Sequence, residues 1–141
     1  MTPKDMTRVL IVNNDALMRD WLAAMLTSHP GYAVVAAVPD TATDICSGIS
    51  LDPDIVLMSL AAGWVGGIEA ISIIKAENPR VKVVASALHA ESEYINATFA
   101  AGADAYVLES DRRSEFIRAL DSVVTGRSFL SRRLDYSNES A

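Results

Sequence analysis

Six polar residues stand where short apolar runs stop. Asn13, Asn14 and Asp15 follow "RVLIV", Ser59 follows "DIVLM", Ser86 closes "VKVVAS", and Glu109 follows "DAYVL". A serine hydroxyl at such a point could be a nucleophile, but an alcohol with a pKa far above 7 needs a neighbouring base, and none is evident beside Ser59. Asp15 directly precedes a helical stripe, where an Asp side chain accepts from free helix N–H groups, so it reads as a cap rather than a metal ligand. Trp64, Leu88 and His89 flank the same positions and could anchor a partner or a small ligand.

The elements that must position these residues alternate along the chain. The runs 8–12, 32–38, 54–58, 81–86 and 104–108 are short and rich in Val and Ile. The strongest are apolar throughout, as parallel strands covered on both faces are. Between them lie helical stripes. Leu17, Trp21, Leu22, Met25 and Leu26 form the first. Ala42, Ile45, Cys46 and Ile49 form the second, with Asp40 as the expected N-cap and Cys46 as core. Ile68, Ile71 and Ile74 lead to Pro79, Tyr94 to Phe99 end at Gly102, and Phe116 to Val124 end at Gly126. Five such units predict an α/β domain with a five-stranded parallel sheet, helices on both faces and strand order 2-1-3-4-5. In that order runs 8–12 and 54–58 are neighbours at the switch point, and their ends open into the crevice where ligands bind.

Composition narrows the class. The 141 residues fit one domain, half of them apolar, and no apolar run approaches the length of a membrane span. The N-terminus lacks the pattern of a signal peptide, and a lone cysteine suits a reducing compartment, so a cytoplasmic protein is expected. Net charge is −6. Residues 1–110 carry six basic and thirteen acidic side chains, whereas 111–141 carry six arginines against five acids. No dense basic stripe exists, which argues against nucleic-acid binding by this chain alone. The final fifteen residues lose the apolar period and read as a tail or linker.

The stretches "RVLIVNNDALMRDWLAAML", "PDIVLMSLAAGWVGGIEAI" and "VKVVASALHAESEYINATFAAGADAYVLE", in this order and spacing, make the sequence resemble the response-regulator receiver domain of the NarL/FixJ (LuxR-type) group. The resemblance covers 7–127, between an N-terminal tail (1–6) and a C-terminal tail or linker remnant (128–141), and implies a flavodoxin-like fold. Receivers of this family accept phosphate on an aspartate ending the third strand, hold Mg²⁺ with an acidic pair after the first, and carry a Ser/Thr and a lysine at the ends of the fourth and fifth. Carried over, the acceptor is Ser59, the acidic pair is Asn13 and Asn14, and the lysine is Glu109. Only Ser86 and the fifth-strand aromatic Tyr106, the switch positions, are kept. Ala62-Gly63 and Gly66-Gly67 replace the family's Met-Pro and Asp-Gly pairs.

The resemblance therefore implies a degenerate receiver. Amide oxygens without a carboxylate pair hold Mg²⁺ poorly, and Glu109 would repel a phosphoryl group. No metal, cofactor or enzymatic activity is expected. Asn13, Asn14, Ser59, Ser86 and Glu109 are expected to close a metal-free hydrogen-bond network. The expected function is a phosphorylation-independent pseudo-receiver, a regulatory or dimerisation module of a bacterial signalling protein or transcription regulator. It would bind itself or another protein through the first and fifth helices, or through the face around Tyr94, Tyr106 and Phe116. DNA would be reached only through a helix-turn-helix domain that the sequence lacks. One alternative is a small-molecule sensor using the neutralised pocket; another is a receiver phosphorylated in a two-component phosphorelay.

Overall fold

Because the strand runs are apolar at odd and even positions alike, each strand feeds two cores. The computed structural model describes residues 6–60, 64–88 and 91–134, apart from the side chains of Trp64, Val65 and Arg133. The strands are β1 (Thr7–Val12), β2 (Tyr32–Val38), β3 (Ile55–Ser59), β4 (Lys82–Ala87), β5 (Ala105–Leu108) and β6 (Phe129–Leu130). The helices are α1 (Ala16–Thr27), α2 (Ala42–Ile49), α3 (Trp64–Glu77), α4 (Ser92–Ala100) and α5 (Arg113–Val124). All strand pairs are parallel, in the order β2-β1-β3-β4-β5-β6.

Alternate strand residues face opposite layers. Val9, Ile11, Ile55, Leu57, Val84 and Val107 meet Leu22, Met25 and Leu26 of α1 and Phe116, Leu120 and Val123 of α5. Leu10, Val12, Val56, Met58, Val83 and Tyr106 meet Ile71 and Ile74 of α3 and Ile95 of α4. Helix ends follow local chemistry. Gly126, at φ +83°, follows α5, and the Arg127 N–H reaches back to the Ser122 carbonyl at 2.9 Å, closing the helix with a left-handed glycine. At the far end of the sheet from the strand C-termini, the Lys75 ammonium bonds the Val81 carbonyl and Asp104 at 2.8 and 3.1 Å, tying α3 to the start of β5.

The expected order holds for five strands, but the sheet has a sixth. Residues 129–134, expected as part of a tail, form β6 and a 3-10 turn (Arg132–Leu134). Glu115, 6% exposed, accepts from the Arg132 N–H at 2.7 Å, and Leu134 is buried in the core beside Tyr106. A two-residue strand has no periodicity to detect. Two details of α2 also differ. Its N-cap is Thr41, not Asp40: the Thr41 hydroxyl oxygen accepts from the Asp44 N–H at 3.1 Å. Cys46 is exposed rather than core. The sheet-facing residue is Gly48, whose missing Cβ makes room for Leu10, and Cys46 lies about 200° round the helix from it. In α1, Leu17 is 81% and Trp21 43% exposed, so only the later part of that stripe is core.

Candidate functional site

The C-terminal ends of β1, β3, β4 and β5 bring the polar residues together. Asn13 follows β1, where its N–H donates to the Val38 carbonyl at 3.0 Å and its side-chain oxygen accepts from the Asp15 N–H at 2.9 Å. That turn places the Asp15 carboxylate over the first turn of α1, where it accepts from Leu17 and Met18 N–H groups at 3.0 and 3.3 Å, as a cap does. Asn14 is exposed. The Arg19 guanidinium donates to the Asn13 carbonyl at 2.6 Å, bracing the loop from behind.

Ser59 ends β3 in register with Ser86 of β4, and both are buried. Glu109 is held at the end of β5 by its N–H bond to the Ala87 carbonyl, 2.9 Å, and the next turn is stapled by Asp111, which accepts from the Leu108 N–H at 2.8 Å. The Ser59 hydroxyl donates to Glu109 at 2.6 Å. A carboxylate thus does adjoin Ser59, against the expectation that no base would. Ser59 ends β3 and Glu109 follows β5, with β4 between the two strands, so no sequence proximity signals the contact. A carboxylate is a weak base for an alcohol, so the contact does not by itself make Ser59 a nucleophile.

The expected closed network forms only in part. Ser59 joins Glu109 and Asn13 joins Asp15, but the Asn13 amide nitrogen and the Ser86 hydroxyl, each on a residue 1% exposed, are buried without a hydrogen-bond partner. The shortfall is geometric: Asn13 Oδ1 is committed to its own turn, which fixes where its nitrogen points. Over the β1 and β5 ends lies a cavity of about 410 Å³ lined by Asn13, Asn14, Asp15, Met18, Leu88, Glu109 and Ser110. Of this lining, Met18 and Ser110 were not expected from sequence; Ser110 directly follows Glu109 and could have been included on that ground. Leu88 is 65% exposed on the rim. Trp64 opens α3 with its side chain outside the described residues, as His89 is entirely.

The donor set does not suit Mg²⁺. One amide oxygen is used by the backbone, the Ser59 hydroxyl is turned to Glu109, and no group of three His, Cys, Asp or Glu side chains capable of holding a metal occurs among the described residues. Tyr106 is fully buried, turned into the core, and its phenol pKa is pushed up to about 12, mainly by burial and then by the charges of Glu91 and Tyr94. Phe116 is also fully buried and Tyr94 half-buried, so the surface expected around these three rings is not presented. The packed β6 segment covers Tyr106, and Phe116 meets Trp21 edge-on at 5.9 Å.

Comparison with known proteins agrees with this layout. The family description "response regulator receiver domain" matches residues 9–121. Transcriptional regulatory protein MctR of Rhizobium johnstonii is 32% identical over 93% of this chain, which spans 61% of MctR. Transcriptional regulatory protein LiaR of Bacillus subtilis is 30% identical over 96% of this chain, which covers 68% of LiaR. A crystal structure of a LuxR-family two-component response regulator from Aurantimonas sp. SI85-9A1 superposes with a TM-score of 0.86 at 28% identity, covering 96% of this chain and 98% of that one. With a parallel sheet in receiver order, a polar pocket at its strand ends and these matches, the chain belongs to the response regulator receiver domain family.

Proposed function

We propose that this receiver works without phosphorylation at the end of its third strand, as a regulatory module of a larger bacterial signalling protein or transcription regulator. The carrying observation is the 2.6 Å hydrogen bond from Ser59 to Glu109. The hydroxyl that replaces the acceptor carboxylate is satisfied by the carboxylate that replaces the lysine, so the two replacements compensate one another. With Asn13 and Asn14 in place of the acidic pair and Glu109 in place of the lysine, no described residue at these positions gathers phosphate oxygens or offsets their charge. The relatives named as transcriptional regulators are longer than this chain, which supports a role as one part of such a protein. Self-association through α1, where Leu17 and Trp21 are exposed, fits this reading.

Acetyl phosphate with Mg²⁺, followed by intact-mass spectrometry, tests the proposal. The mass should stay unchanged; a phosphoryl adduct abolished by Ser59→Ala would overturn it and restore a phosphorelay role. A second reading, that the altered pocket takes a small molecule, is favoured by one observation: a cavity of about 410 Å³ lies at the strand ends, lined in part by Asn13, Asp15, Met18 and Glu109.

A further inference from the structure

On the side of the sheet away from α1 and α5, α2 packs on β1 and β2, and α3 packs on β4 and α4, which leaves a groove between α2 and α3. Each helix turns an apolar stripe toward it. Ala42, Ile45, Cys46 and Ile49 of α2 are spaced i, i+3, i+4 and i+7, and Ala70 and Ile73 of α3 stand opposite. A cavity of about 220 Å³ lies between the stripes, and every side chain lining it is described. It shares Ala42, Ile45, Ala70 and Ile73 with a second cavity of about 310 Å³ that reaches Met58 and Ser59. Ile73 is 51% exposed, although Ile71 and Ile74 already fill the core side of α3, so that helix is apolar beyond the stripe its own sheet covers. A Cβ added at Gly66, in the second cavity, would meet no atom within 4 Å, so the groove is open there. Its rim carries one sign of charge. Glu77 borders the first cavity, Asp40 and Glu69 border the second, and no Lys or Arg lines either. All three acids are exposed, and none is in an ion pair among the described residues. Lys75, the basic residue of α3, is turned away to Val81 and Asp104. Glu77 ends α3, where the helix dipole disfavours an acid, so local helix stability does not account for it.

We propose that the α2–α3 groove docks a basic amphipathic helix of another protein. Aliphatic side chains at i, i+4 and i+7 of that helix seat against Ile45, Ile49 and Ile73, and Lys or Arg beside them faces Asp40, Glu69 and Glu77. The length fits: from Gly66 to Glu77, α3 rises about 16 Å, and i to i+7 of a docked helix needs about 10 Å. Charge chooses among occupants. A second copy laid face to face would bring the acids of two grooves together, and an anionic bilayer would meet the same repulsion. A cationic helix meets an apolar groove and a complementary rim at once. The proposal goes beyond the reading above, because no contact in the groove depends on whether Ser59 carries phosphate.

The test titrates the whole chain, followed by ¹H–¹⁵N NMR, with an amidated peptide of about 14 residues that sets leucines at i, i+4 and i+7 on one face and lysines on both flanks. Two control peptides separate the contributions: one has glutamates for the lysines, and the other keeps the composition but scatters the leucines round the helix. The lysine peptide should shift the backbone amides of residues 42–49 and 70–78 saturably, with a Kd of about 100 μM or tighter, and each control should bind about tenfold more weakly. Ile73→Gln, at an exposed position, should weaken the lysine peptide about tenfold. Glu77→Lys, which suits the end of α3, should weaken the lysine peptide and strengthen the glutamate peptide. Cys46, exposed in the groove, gives a second readout: bound lysine peptide should slow its alkylation. Absence of saturable shifts, shifts centred on Leu17 and Trp21 of α1, equal binding of the lysine and scattered peptides, or lysine-peptide affinity unchanged in both variants would each overturn the site. Shifts of the groove amides on raising protein concentration alone would overturn it in favour of a second copy. Melting of the variants alongside shows whether they are folded; if not, the comparison of the three peptides on the unaltered chain decides. A phosphoryl adduct in the acetyl phosphate experiment would defeat the phosphorylation-independent reading without touching this one.

Discussion

Replacing Ser59 by the family's aspartate tests the account of the pocket most directly. Ser59→Asp places a second carboxylate where the hydroxyl lies 2.6 Å from Glu109. If the side chains relax to a separation of about 4 Å, repulsion at an effective dielectric of about 20 is about 4 kcal/mol. Glu109 is partly exposed, so water screens part of this, and the pair can relieve the rest by retaining one proton. We expect a loss of about 2 kcal/mol at neutral pH, or about 6–10 °C in Tm for a chain of this size. The sign with pH follows from linkage. A carboxyl whose pKa is raised in the folded state binds more protons folded than unfolded, so the variant's deficit grows as pH rises from about 4 toward the raised value. Thermal melts between pH 4 and pH 8 would read it. Ser59→Asn, which can still donate to Glu109, should melt close to the unaltered protein. In a Glu109→Gln background the Ser59→Asp penalty should largely vanish. A Ser59→Asp protein that melts like the parent at neutral pH, or a penalty of equal size in the Glu109→Gln background, would refute the electrostatic reasoning. Phosphorylation of the single variant by acetyl phosphate would refute it too.

Three further outcomes can be checked. The Tyr106 phenol, raised to about 12 from its usual 10, should titrate late in an ultraviolet absorbance titration; its contribution to stability is present below pH 10 and lost as pH climbs toward 12, and Tyr106→Phe should remove that part of the alkaline instability. Glu115→Gln replaces the charged acceptor of the Arg132 N–H and removes both arginine pairings, so amide exchange at Phe129–Leu130 and Leu134 should quicken by a loss of about 1–2 kcal/mol, with α1 unaffected. Gly48→Ala drives a Cβ to 2.5 Å from Leu10 Cδ1 in a filled core and should cost about 1–3 kcal/mol by denaturant melt.

What could be read from the sequence was whatever the chain writes locally and repeatedly. Runs such as "DIVLM" announce doubly covered strands, and their order places Asn13, Ser59, Ser86 and Glu109 at one end of the sheet without any knowledge of contacts. Atom-level pairings were not legible. That Glu109 reaches across β4 to Ser59, while Asn13 spends its oxygen on Asp15, depends on side-chain reach that residue types do not encode. Helix faces failed where an element is short or projects past the sheet: Cys46 on the eight-residue α2, and Leu17 at the start of α1. The sixth strand escaped because its two residues lie in a polar stretch, and its stability comes from Glu115 and from the Leu134 socket rather than from its own sequence.

That sixth strand bears on the order in which the molecule can be completed. On a ribosome, β5 emerges before the residues that will cover it. Until Phe129 and Leu130 arrive, the row of hydrogen-bonding groups at Ala105 and Tyr106 has no neighbour on its outer side. Such a row is a template for another chain, and the nascent protein carries it through the interval when it is least able to bury it. The closing pieces, Ser131 bonding the Tyr106 carbonyl at 3.0 Å and Leu134 filling the core, are among the last parts of the described fold to be synthesised. A chain stopped at residue 127 would have the five α-helices and five of the six strands found among the described residues, and would be frozen in that sticky stage, kept from association only as long as its open edge met nothing that matched it.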